Sequence, residues 1–188
     1  MKNTLPFLFF GIAVNVFGEA GIVDLLRSQQ LDKGRVVVKE FQKRLGHELK
    51  SAMTSGGPVN AISVCKDQAQ PIAEATSKKH NLVVRRVSLK PRNPADSPDI
   101  IDRQVLNDFA ENFSTKEMKP LEKQVNLDNG KARYYKSIAI KPLCLACHGE
   151  TIHDEVKKKL NSLYPNDLAT GYKPGDLRGA FVVEFNEQ

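Results

Sequence analysis

Residues 121–140 read LEKQVNLDNGKARYYKSIAI, and this stretch decides the fold. Two strand-like runs, Leu121 to Leu127 and Lys131 to Ile140, flank Asp128-Asn129-Gly130, where Asn-Gly suits a tight hairpin turn. A turn that short joins only antiparallel strands. Side chains alternate along a strand, so Tyr134 and Tyr135 point to opposite faces, and one of them is expected to lie inward.

Immediately downstream, Pro142 ends the second strand and Cys144-Leu145-Ala146-Cys147-His148 begins. Cys-x-x-Cys-His is the pattern of a c-type haem attachment site. Two cysteines three apart on a helical turn share a side, so both thiols reach the vinyl groups of one porphyrin edge, and the adjacent imidazole is placed to ligate the iron. Two other chemistries compete. A dithiol redox pair prefers a strand-to-helix start, which the proline-preceded Leu143 context does not supply. A zinc site built from Cys144, Cys147, His153 and Cys65 has suitable ligand types and stays open. Gly149 lets the backbone turn away, Val156, Leu160 and Leu163 mark one more helix, and Leu177 to Phe185 is a last strand.

Upstream, Val38, Phe41, Leu45, Leu49 and Met53 recur at helical spacing from Val23 to about Met53, and Gly56-Gly57 stops that helix. Gly34 is expected to weaken or break its early part. Pro58 suits the first turn of a second helix, on which Val59, Ile62, Cys65 and Ala69 share a face. Pro71 kinks or restarts that helix, which runs to His80 with Asn81 as its stop. Cys65 therefore points inward, either as a small buried hydrophobe or as a distal iron ligand, with His47, His80, His153, Met53 and Met118 as rivals. His47 lies outside the apolar stripe and reads as a solvated residue. Leu82 to Ser88 is a strand carrying Arg85-Arg86. A proline-rich loop follows, in which Arg92 is placed to meet a haem propionate. Ser97 caps and Pro98 starts a helix with Ile101, Val105, Phe109 and Phe113 on its stripe.

The 188-residue chain is 40% apolar, enough for one domain with a substantial core. Three cysteines are too few for a disulfide scaffold. Lys2, an apolar run from Leu5 to Phe17 and Gly18-Glu19-Ala20 read as a secretory leader cleaved after Ala20, with no stable membrane span afterwards. Residues 21–34 are then a lead-in helix or linker, and 35–188 the haem domain. Export agrees with thioether attachment, and the expected location is periplasmic or otherwise exported. Loss of Lys2 and Glu19 leaves the formal charge at +6, which suits propionates and an acidic redox partner. Nucleic acid is not an expected partner, because no basic run is interleaved with aromatics. The sequence leaves the oligomeric state open.

Ile62-Ser63-Val64-Cys65, Arg86-Val87-Ser88-Leu89-Lys90, Arg92-Asn93-Pro94, Cys144 to Gly149, and the run from Gly171 to Ala180 together resemble the Tll-type c-haem domain family across residues 35 to 185. The resemblance implies an α+β, PAS-like fold: an antiparallel sheet with flanking helices and one haem c bound through Cys144 and Cys147. It further implies His148 and Cys65 as the axial ligands. One place departs: family members often carry an aromatic and a glutamate where this chain has Ile100-Ile101-Asp102. With Arg86 and Arg92 added as propionate partners, the expected protein is a non-enzymatic, one-electron c-type cytochrome. A stand-alone haem-based redox or gas sensor, in which Cys65 is displaced, is the alternative.

Overall fold

The computed structural model describes residues 17–113, 119–128 and 130–186. Residues 1–16 of the expected leader, Met118, and Asn129 of the expected turn lie outside the described residues. The order of elements is α1 (Phe17–His80), β1 (Val83–Val87), α2 (Ile100–Asn112), β2 (Glu122–Asn126), β3 (Ala132–Ala139), α3 (Leu145–His148), α4 (Asp154–Leu163) and β4 (Leu177–Phe185). Among the described residues no helix is long and apolar enough to cross a membrane.

α1 is two helical arms, 17–55 and 58–80, folded against each other across Gly56-Gly57. The left-handed φ of 67° at Gly57 is available to glycine at little cost. The arms run antiparallel: Asn60 near the bend donates to the Ala52 carbonyl, while Lys79 and His80 at the far end both reach the Glu40 carboxylate. The helix passes Pro71 without a break, since the carbonyl that loses its partner belongs to exposed Asp67 and water can take its place. Asn81 adopts φ 54°, the left-handed stop expected of it.

Gly34 does not interrupt the first arm. It is buried where the arm crosses the sheet, and a Cβ there would come within 2.6 Å of the Tyr134 ring. The glycine is a contact point between layers, and helix propensity alone gave it the wrong role.

The sheet has strand order β1-β4-β3-β2 and is antiparallel throughout. The expected hairpin is β2–β3, and β4 pairs with both β3 and β1. Tyr134 and Tyr135 are each 0% exposed. The expectation that only one would lie inward fails because both faces of the sheet are covered. Tyr134 packs with Val37, Val38 and Phe41 of α1 and with Val84, Phe181 and Val183. Tyr135 packs with Val105, Leu106 and Phe109 of α2 and with Val87 and Val182.

α2 begins two residues later than its proline suggested. Asp99, not Ser97, is the N-cap: Asp99 accepts from the Asp102 backbone N–H, and Asp102 accepts in return from that of Asp99. Ser97 instead closes a short 3₁₀ turn over Pro94–Asp96. At the place of departure, Ile100 is 78% exposed, while Asp102 is fully buried under the sheet. Arg85 grips Asp102 with two hydrogen bonds of 2.8 and 2.9 Å, and the Tyr135 hydroxyl donates a third at 2.8 Å. Arg133 closes the network between Asp99, Asp102 and Glu184.

Replacing Gly34 by alanine sets a helix-propensity gain of about 1 kcal/mol against overpacking of a sealed ring, which costs about 1–3 kcal/mol. The expected outcome is net destabilisation, read as a lower urea midpoint with an unchanged slope.

Candidate functional site

β3 ends at Ala139, and Pro142 opens a 3₁₀ turn that runs straight into α3, so the Cys-x-x-Cys-His segment sits just beyond the end of the interior strand β3. It faces a mostly apolar cavity of about 170 Å³ between the two arms of α1 and the sheet. Leu45, Leu49 and Met53 of the first arm and Ile62, Cys65 and Ala69 of the second line it. Cys144, Cys147, His148, Arg86 and Arg92 line it as well, so all six expected site residues meet in one place. A neighbouring cavity of about 190 Å³ shares Leu45, Leu49, Arg86, Asp96, Cys144, His148 and Arg178 with the first.

His148 Nδ1 lies 2.6 Å from the Ala169 carbonyl oxygen, which can only accept, so Nδ1 carries the proton. Nε2 is left as the lone-pair nitrogen. Burial, reinforced by Arg92 and Arg178, pushes the His148 pKa down to about 3 against the opposing pull of the Ala169 carbonyl, and the ring is neutral at pH 7. A neutral imidazole with its second nitrogen held by a carbonyl is how metal-binding histidines are commonly set.

The carbonyl is itself held in place. Asp167 accepts from the Ala169 backbone N–H at 2.8 Å and from Arg92 Nε at 2.9 Å. An Arg92 terminal nitrogen donates to the Cys147 carbonyl and, at 3.4 Å, to that of Ala169. Tyr172 N–H and Gly171 N–H donate to the carbonyls of His148 and Gly149, tying the second side of the motif to the 171–175 turn. Arg92 thus lines the cavity but commits its guanidinium to the scaffold around His148. Arg86, from β1, is paired with Asp96 at 3.2 Å.

Burial raises the thiols of Cys65 and Cys147; Arg86 and Arg92 oppose it at Cys65, Arg92 at Cys147. A raised thiol is the opposite of what a reactive dithiol pair at a helix start needs. The zinc set is not gathered. His153 is exposed at the start of α4, and no group of three or more His, Cys, Asp or Glu among the described residues is arranged to hold a metal ion. Of the rival ligands, His47 is exposed and His80 is bound to Glu40 at 2.9 Å; among the described rivals Met53 alone lines the cavity with Cys65.

Sequence reasoning missed Asp167, Ala169 and Arg178. Asp167 and Ala169 lie in a loop without periodicity; Ala169 acts through its backbone, and the Asp167 carboxylate through Arg92 and the Ala169 N–H. Arg178 stood inside the run Gly171 to Ala180, but a strand reading gave it no special direction.

The sequence profile of the Tll0287-like family matches residues 24–186. No curated protein matches the chain. Among solved structures, the crystal structure of the cyanobacterial haem protein Tll0287 superimposes with a TM-score of 0.62 at 26% identity, covering 85% of this chain and 98% of that one.

Asp167 and Arg92 are both largely buried, so Asp167→Ala strands a cation and is expected to destabilise the fold by about 3–5 kcal/mol in urea unfolding. Asp167→Asn, which retains an acceptor for the Ala169 N–H, is expected to cost less.

Proposed function

This chain belongs to the Tll0287-like family, and from that premise we propose that it is an exported c-type cytochrome carrying one covalently attached haem and transferring one electron. The observation that carries this reading is the convergence of Cys144, Cys147, His148 and Cys65 on one cavity, with His148 Nε2 free to ligate. The similar protein Tll0287 is a haem protein, which supports the same assignment. Cys144 and Cys147 would form the two thioethers, His148 would be the proximal ligand, and Cys65 the distal one.

The haem supplies an iron centre that changes oxidation state by one electron. The chain's own contribution is to hold two ligands in nearly fixed geometry, so that little rearranges between the two states. Ala169, Asp167 and Arg92 orient the imidazole, while Leu45, Leu49 and Ile62 keep water away. A thiolate ligand donates charge to ferric iron, and a low reduction potential follows. The PAS-like arrangement is part of the proposal, supported by an antiparallel sheet flanked by helices. So are a leader at residues 1–20, a periplasmic location, and an acidic partner drawn to a basic surface and released by salt. The role is that of a carrier, not an enzyme.

A second reading, a haem-based redox or gas sensor, is favoured by one observation. Cys65 rides on the second arm of α1, joined to the first by the Gly56-Gly57 bend, so release of the thiol would free that arm to shift. Carbon monoxide added to the reduced protein separates the two: displacement of Cys65 supports sensing, and refusal to bind supports electron transfer.

The test is an absorption and electron paramagnetic resonance spectrum of the ferric protein matured in a periplasm competent for haem attachment, beside Cys65→Ser. The expected result is a low-spin thiolate signature in the parent that the variant loses. A variant spectrum identical to the parent removes Cys65 from the iron. Absence of covalent haem from both overturns the whole assignment.

A further inference from the structure

Three guanidinium groups, Arg86, Arg92 and Arg178, line the cavity. Two are matched by carboxylates: Arg86 by Asp96 and Arg92 by Asp167. Arg178 makes no ion pair among the described residues, the nearby Asp96 being paired with Arg86. One of its terminal nitrogens donates to Ser88 Oγ at 2.7 Å and to the Lys90 carbonyl at 3.2 Å, and its guanidinium carbon lies 5.7 Å from the centre of the Tyr172 ring. Nε and the other terminal nitrogen have no protein acceptor among the described residues. Burial, with Arg86 and Arg92, lowers the pKa of Arg178 against the opposing pull of Tyr172 and Asp96. A cation held under those conditions costs free energy until an anion joins it.

The strand is bent specifically at this residue. Ile138 pairs with Gly179 and Ala139 with Leu177, so Arg178 is the unpaired residue of a β-bulge in β4. Regular alternation would put Arg178 on the same face as Ala180 and Val182, under α2, because those two pack in the Tyr135 cluster. The bulge instead turns it to the α1 face, where the cavity lies; bulges commonly re-aim a side chain in this way. Gly179 makes the turn possible. Its φ is 156°, and a Cβ there would lie 2.2 Å from the Val87 carbonyl oxygen, so no other residue fits without moving the backbone of β1.

We propose that Arg178 is the carboxylate receptor of this cavity, taking a haem propionate through the free edge of its guanidinium, with Arg92 serving the scaffold instead. The proposal rests on the haem reading above. It places at the propionate a residue that the sequence gave no role, and moves Arg92 from that role to positioning.

The test is a cycle between side chain and ligand. The full chain carrying Cys144→Ser and Cys147→Ser, so that no thioether forms, is titrated with ferric haem and with its propionate dimethyl ester, with and without Arg178→Gln. Esterification is expected to weaken binding by about tenfold or more when Arg178 is present, the scale of a charge-assisted fork, and by much less in Arg178→Gln. Equal losses in the two backgrounds overturn the assignment, because an arginine serving only the fold would weaken both ligands alike. Should Arg178→Gln fail to fold, Arg178→Lys is read against the same two ligands. A single ammonium in place of a fork is expected to reduce the ester's penalty, and an undiminished penalty overturns the proposal. Failure of the parent to bind either porphyrin is a distinct result that counts against the haem reading itself.

Discussion

Adjacent residues on one strand, Tyr134 and Tyr135, are both sealed from water on opposite faces of the sheet, and this constraint shapes the molecule. A strand buried on both sides requires a layer on each, so α1 must cover one face and α2 the other. The α1 face is wider than one helix can close. The chain answers with two arms joined at Gly56-Gly57, and near that bend the arms leave the sheet and enclose the cavity. The site is a consequence of the layer arrangement: it forms where the covering layer extends past the sheet it covers.

Arg85 and Arg86 divide along the same line. Pleating sends Arg85 to the α2 face, where Asp102 and Asp99 absorb it, and Arg86 to the α1 face, where it reaches the cavity wall and Asp96. The two arginines serve different layers. The first lies in a buried network that fixes α2 against the sheet, so breaking it by removing Asp102 would strand charge in the interior. The second is one of the groups that give the cavity its positive character.

Periodicity made the elements legible. Helical spacing of Phe41, Leu45, Leu49 and Met53 and the alternation around the hairpin gave the helices, strands and α+β class before any coordinate, and a five-residue motif gave the site its chemistry. What stayed hidden depends on how one layer meets another. Gly34 reads as a helix breaker until the Tyr134 ring is seen against it. Phe41 and Leu49 belong to one stripe in the sequence, yet the first packs on the sheet and the second lines the cavity, because the stripe outlasts the sheet. Arg178 was invisible for a sharper reason. A single unpaired residue in β4 inverts its facing, and the lone glycine in Leu177-Arg178-Gly179-Ala180 is the one local hint of the bulge and of the close approach of Val87.

The cationic lining also bears on the protonation of the groups it surrounds. Burial alone would disfavour both the charged imidazolium of His148 and the charged thiolate of Cys65, which helps one as a metal ligand and hinders the other. Positive charge eases that conflict, although the Cys65 thiol stays above its ordinary value because burial outweighs it. Arg92 and Arg178 push the His148 pKa down further, and Arg86 and Arg92 pull the Cys65 thiol down against burial. Both of these arginine contributions favour the deprotonated form, the form in which a nitrogen or a sulfur donates to a metal. Arg92 acts on both residues while also holding the carbonyl that fixes the His148 tautomer. Its pairing with Asp167 keeps its position without drawing it out of the cavity wall. The cationic lining thus works with burial at His148 and against it at Cys65, and the proposed anionic prosthetic group would meet that lining at Arg178.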